Sequence, residues 1–267
     1  MLALWIATAL AAERPDAQAL EAAWERWREP LQAHGRYPLT FSKQEWTRVA
    51  HGHVAKRRER LEGADRVVGM IWVDADPVTT WLSVQDPHGS GIEGMVHEEL
   101  PGSTFQHRVL FQKIDLPWPM ATRQWVIDVV NNQPLLEATD GAFWERTWTL
   151  SEQRGAKNED PKAVWLPVNE GGWAYVDALG GTLVVYHVRS VVGGNIPDEL
   201  ATRWSFGTLT GMLERIGERL PWIRTHYDVS HTPIQQPDGT VVPPMGSDGT
   251  VVPPATPDGT VVPPVAP

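Results

Sequence analysis

Cysteine is absent from all 267 residues, which excludes disulfides, thiolate zinc sites, cysteine nucleophiles and a lipid-modified N-terminal cysteine. Positive charge is also scarce, with 23 Lys and Arg against 33 Asp and Glu for a net charge of -10. Nucleic-acid binding needs a basic surface to neutralise phosphates, so no such partner is expected. The one basic run, Lys56-Arg57-Arg58-Glu59-Arg60, is interrupted by Glu59 and followed by Glu62 and Asp65, and reads as the solvated face of a strand. Phe and Tyr are few, 5 and 4, whereas Trp numbers 14. Indoles are bulky and their N–H seeks a partner when buried. They fit a wide, partly polar cavity, or a core in which Trp replaces Phe. Long apolar runs are missing too, since a membrane span needs about 20 residues. Residues 1–12, MLALWIATALAA, are apolar but short, with Ala9-x-Ala11 as a cleavage site and no basic n-region. They read as a signal peptide cut after Ala11, which would make the protein periplasmic or secreted. Uncut, it would remain cytoplasmic.

The residue sets of common chemistry are also missing. His51 and His53 alternate, but spacing fixes no third ligand for zinc or copper. Gly193-Gly194-Asn195 lacks the lysine of a phosphate loop. Gly89-Ser90-Gly91 has no catalytic partners placed by sequence. Asp74 and Asp76 flank a helix start and are explained as caps. No catalytic residue, metal site or cofactor is assigned.

What is present is a pattern of short strands and two main helices. After Pro15-Asp16, the apolar positions Leu20, Trp24, Trp27 and Leu31 form a helical stripe that Pro30 should end or kink. Trp46 to Leu61 reads as an extended strand turned at Gly63, followed by a strand from Arg66 to Val73. Asp76-Pro77 starts a short helix, Val78 to Val84. Strands are expected over Met95–Glu99, Ser103–Ile114, Arg123–Asn131, Phe143–Leu150, Gly171–Asp177 and Thr182–Val188, the last two joined at Leu179-Gly180-Gly181. A helix from Asp198 to Leu220 follows. The fold class is α+β: a curved antiparallel sheet wrapped around a long C-terminal helix, spanning residues 16–222.

Alternation puts Phe105, His107, Val109 and Phe111 on one face of their strand. Trp125, Ile127 and Val129 share another, as do Trp173 with Tyr175, and Val184 with Tyr186 and Val188. On the last helix Phe206, Leu209, Met212, Leu213, Ile216 and Leu220 occupy one arc, with Ala201, Thr202 and Ser205 nearer its start. The expected ligand set is therefore Phe105, His107, Val109, Phe111, Trp125, Ile127, Trp173, Tyr175, Tyr186, Ser205, Leu209 and Met212. The alternative is that these residues fill a solid core.

From residue 237 the composition changes. Pro237-Asp238-Gly239-Thr240-Val241-Val242-Pro243-Pro244 returns at 247–254 and 257–264, a ten-residue period. Proline removes donors and Asp-Gly favours turns, so residues 232–267 are expected to be a disordered tail in which neither helix nor sheet propagates.

Four segments in order resemble a bacterial START lipid-transfer domain, of the helix-grip group that includes Bet v 1-like proteins. They are Val67 to Trp81 with Asp86; Leu116-Pro117-Trp118-Pro119 leading to Arg123; Gly171-Gly172-Trp173-x-Tyr175; and Thr182-x-Val184-x-Tyr186-x-Val188 leading through Gly194-x-Ile196-Pro197 into the last helix. In the family the loop before this arginine usually ends arginine-aspartate. Here Arg123 is followed by Gln124, so no buried salt bridge is expected. The resemblance implies binding and transfer of a lipid or other hydrophobic molecule, with transient membrane contact. Two other readings stand beside it. Polyketide aromatase/cyclases use a related helix-grip cavity, and His107, Tyr186 and Arg146 are the acid–base candidates for such an enzyme. The third reading is an interaction protein acting through its repeat tail.

Overall fold

The N-terminal helices begin where capping side chains meet free backbone N–H groups. In the computed structural model, which describes residues 14–85, 94–101, 107–116, 121–194, 198–225, 234–235 and 241–242, Asp16 accepts from the Ala19 N–H to start α1 (Ala17–Glu25). Helix α2 (Arg28–His34) follows after a break at Arg26 and Trp27. Pro30 therefore breaks nothing. It sits in the first turn of α2, where its missing N–H has no intrahelical bond to lose. The leader, Phe105, the loop 86–93, Pro117-Trp118-Pro119, Asn195-Ile196-Pro197 and most of the repeat tail lie outside the described residues.

The segment expected as one strand from Trp46 to Leu61 is mostly something else. Ser42 and Glu45 form a reciprocal capping box that starts α3 (Lys43–Ala50), and Trp46 and Val49 are its buried face. Only β1 (Ala55–Glu59) is extended. The basic run in β1 is consumed locally: Arg57 pairs with Glu45 and Glu59, and Arg58 with Asp65.

The sheet is built from β1, β2 (Arg66–Val73), β3 (Met95–Glu99), β4 (His107–Ile114), β5 (Arg123–Asn131), β6 (Phe143–Leu150), β7 (Val164–Trp165), β8 (Val168–Ala178) and β9 (Gly181–Val191). Its order is β1-β2-β9-β8-β6-β5-β4-β3, antiparallel throughout that path, with β7 lying parallel to the start of β5. Helix α4 (Pro77–Gln85) begins as expected, with the Asp76 carboxylate accepting from the Thr79 N–H and hydroxyl. Helix α5 (Gln133–Ala138), which periodicity did not foreshadow, is capped by Asn132. Helix α6 (Asp198–Thr225) runs past the expected end at Leu220. Within the tail segment, β10 (Ile234–Gln235) pairs antiparallel with β11 (Val241–Val242), the two valines of the first repeat copy.

Alternation gives the sheet two chemically distinct faces. Val68, Met70 and Trp72 of β2, Ala174 and Val176 of β8, and Leu183 and Val185 of β9 pack outward against α1, α2 and α3. Their neighbours Val67, Ile71 and Val73, Tyr175, and Val184 point inward with α4 and α6.

Candidate ligand site on the inner face of the sheet

Helix α6 packs tightly on the sheet over Gly69 of β2. A Cβ there would lie 2.7 Å from Leu213 Cδ1 and 2.9 Å from Leu209 Cδ2, so only the missing side chain admits the helix. The helix is also tied on both flanks. On the β1 side, Lys56 Nζ donates to the Phe206 carbonyl (3.0 Å) and to Thr210 Oγ1 (2.8 Å). On the α4 side, Ser83 Oγ donates to the Ile216 carbonyl (3.2 Å), and Arg219 Nη1 donates to the Ser83 carbonyl (2.7 Å).

Beyond α6 the inner face carries a run of aromatic rings in contact. Trp144 of β6 meets Trp81 of α4 edge-on at 5.1 Å, and Trp81 meets Tyr175 of β8 at 4.9 Å. Tyr175 stacks with Trp173 at 6.2 Å, Trp173 meets Tyr186 of β9 at 4.5 Å, and Tyr186 meets Trp148 of β6 at 5.7 Å. Gly171 makes the last ring possible, because a Cβ there would lie 2.5 Å from Trp148 Cζ2. Burial holds the Tyr186 phenol neutral by raising its pKa.

Polar groups are set among these rings. Trp125 Nε1 donates to Gln112 Oε1 (2.7 Å), and the Gln112 amide reaches His97 Nδ1 at 3.0 Å. Trp148 Nε1 donates to Asn169 Oδ1 at 3.0 Å. Arg146 is buried on the same face, and loss of hydration pulls its pKa down to about 9. Arg123 is buried at the sheet end. Its guanidinium donates to the carbonyls of Ala121 (2.5 Å), Val192 (2.5 Å) and Gly193 (3.1 Å), joining the start of β5 to the exit of β9. It meets no salt-bridge partner among the described residues.

Of the residues expected to line the site, Trp125, Ile127, Trp173, Tyr175 and Tyr186 share the inner face. Met212 is half-buried beside them, and Leu209 is spent on the contact with Gly69. Val109, Phe111 and His107 require a correction, because they occupy the opposite face. The β4–β5 register pairs Phe111 with Val126 and Leu110 with Ile127, so Leu110, Gln112 and Ile114 are the inward residues. Phe111 and Val109 pack instead with Leu100, Val126 and Ala156, and His107 Nε2 lies exposed, 3.0 Å from Asp128 Oδ1. Alternation could not choose here, since β4 is apolar on both sides and a segment around Ala156 covers the outer one. Phe105 lies outside the described residues, as does the side chain of Ser205. The acid–base trio of an enzyme does not converge: Tyr186 and Arg146 face inward, His107 outward. Trp81, Trp144 and Trp148 were not singled out, although the alternation Trp144-x-Arg146-x-Trp148 on an expected strand held the signal for two of them.

No protein-family model matches the sequence, and no curated protein matches it. Solved structures do. The STAR-related lipid transfer protein (fragment 25-204) from Xanthomonas axonopodis is 19% identical, with 63% of this chain and 93% of that chain covered at a TM-score of 0.51. Human StAR-related lipid transfer protein 5 is 12% identical over 78% of this chain and 99% of that chain, TM-score 0.53. Human STARD10 is 13% identical over 79% and 84%, TM-score 0.53. What is shared at such identities is the architecture: this chain, a curved antiparallel sheet of nine strands with a long C-terminal helix, has the START-type helix-grip fold.

Proposed function

We propose that the chain binds a lipid or other hydrophobic small molecule between α6 and the inner face of its sheet. The observation that carries this reading is the run from Trp144 to Trp148, in which successive rings line a face that α4 and α6 pack against. Broad apolar surface interrupted by a few fixed polar groups is the common chemistry of a small-molecule site. The fold adds support, since two of the similar structures above are lipid-transfer proteins by name. Burying about ten methylenes at roughly 0.8 kcal/mol each would supply about 8 kcal/mol before the entropic costs of association. Shielding of an apolar molecule from water needs no covalent step. Loading would require the first turns of α6 to part from β1, and brief contact with a membrane would supply the ligand.

Met212 offers the test, because it is half-buried on α6 and is not committed to Gly69. Met212→Trp is expected to weaken binding of a fluorescent fatty acid or sterol at least tenfold, about 1.4 kcal/mol. Glu218→Gln, on the exposed side of the same helix, should leave binding unchanged. A parent protein that binds no apolar probe would show the interior to be solid and the reading wrong.

A further inference from the structure

Arg146 is the inner-face residue that a purely apolar ligand leaves without work. It stands on β6 between Trp144 and Trp148, opposite Asn131 of β5 and Trp173 of β8. The residue is only 5% exposed, and its Nε is buried with no hydrogen-bond partner. Its Cζ lies 5.7 Å from the centroid of the Trp81 ring. Among the described residues no carboxylate pairs with it. The nearby acid, Glu99, is engaged by Arg108, whose Nε and Nη2 donate to its two oxygens at 3.2 Å each. The Glu99–Arg108 pair is neutral as a whole, so among the described residues Arg146 stands as one uncompensated positive charge.

A guanidinium taken out of water without an anion is unfavourable, and the lowered pKa of Arg146 records that loss of hydration. The planar fork of arginine is suited to two parallel bonds to an oxyanion. We propose that Arg146 holds the monoanionic head of an apolar ligand, a carboxylate or a phosphodiester, while the chain lies along Trp173, Tyr186 and Trp148. A single uncompensated charge matches a monoanion, whereas a dianion would leave an excess negative charge buried. This assignment rests on the carrier reading and names the ligand class it would take.

Two matched pairs of probes test it on the full chain: palmitate against hexadecanol, and phosphatidylglycerol against diacylglycerol. The parent is expected to favour the anionic member of at least one pair by tenfold or more, and the pair that responds identifies the source of the anion. Arg146→Met should erase that preference while the neutral probe still binds, and should raise Tm, because an unpaired buried charge is replaced by an apolar side chain. Equal binding of anionic and neutral probes by the parent would overturn the assignment of Arg146 alone. So would a preference that survives in Arg146→Met, or a variant that fails to fold, which would mark the arginine as a structural partner. If no probe of either pair binds the parent, the carrier reading falls and this proposal with it. The comparison within the parent needs no variant.

Discussion

Glu145 and Arg146 are neighbours on β6, each 5% exposed, and they point to opposite faces of the sheet. The outward carboxylate has hydrogen-bond partners: its Oε2 accepts from the Asn132 amide and from the Arg36 N–H. The inward guanidinium meets rings and no carboxylate among the described residues. The two faces of the sheet are also covered differently. On the outer face, Leu20, Trp46 and Val49 of α1 and α3 are almost fully buried against β2, β8 and β9. On the inner face α6 closes against β2, and the aromatic run continues beyond it with polar groups between the rings. Burial of equal depth thus holds a hydrogen-bonded carboxylate on one side and, among the described residues, a guanidinium without a carboxylate on the other.

Substitutions on the two faces should therefore separate stability from binding. The largest effect is expected at Trp46, 1% exposed. Trp46→Ala should cost ~3–5 kcal/mol in denaturant unfolding, with probe affinity unchanged in the fraction that remains folded. Gly69→Val comes next, since its side chain must push Leu209 and Leu213 away from β2. It should cost ~1–3 kcal/mol and also alter probe binding, because α6 itself is displaced. A loss of stability with wholly normal binding would show that α6 does not cover the site.

The outer face also predicts a pH dependence. Burial, with the Arg66 charge nearby, pushes the His187 pKa down to about 3. The unfolded chain takes up this proton near its ordinary value of about 6.5, and the folded chain does not. The contribution is fully present above that value and is lost as pH falls from about 6.5 towards 3. The loss should reach roughly 2 kcal/mol by pH 5. His187→Leu should flatten that limb of a stability–pH curve, and an unchanged curve would rule His187 out. The smallest effect belongs to Lys56, exposed and tied to Phe206 and Thr210. Lys56→Ala should change stability by less than about 0.5 kcal/mol, yet speed probe exchange measured by stopped flow, because one flank of α6 is released.

Much of the architecture was legible before the coordinates. Strands β5 and β6 fall on the expected bounds, and β8, β9 and α6 contain theirs, because alternation with one polar turn leaves little choice of register. Trp46 was misread since an apolar residue followed by Val49 fits a helix or a strand, and the decision lay in the Ser42–Glu45 cap before it. Phe111 was placed on the wrong face for a different reason. Strand β4 is covered on both sides, so its apolar residues carry no direction until β5 fixes the pairing. Arg146 was legible as an inward residue of β6, but its lack of a carboxylate partner among the described residues is a property of three dimensions. No spacing in the chain says that Glu99 is already taken by Arg108.

The joint at Arg123 has a consequence for the conditions the protein can tolerate. A guanidinium held by a carboxylate loses its partner when acid protonates that group. The acceptors here are the carbonyls of Ala121, Val192 and Gly193, which do not titrate and bear no net charge for added ions to screen. The link between the start of β5 and the exit of β9 is therefore indifferent to acid and to salt, where an ion pair would have let go.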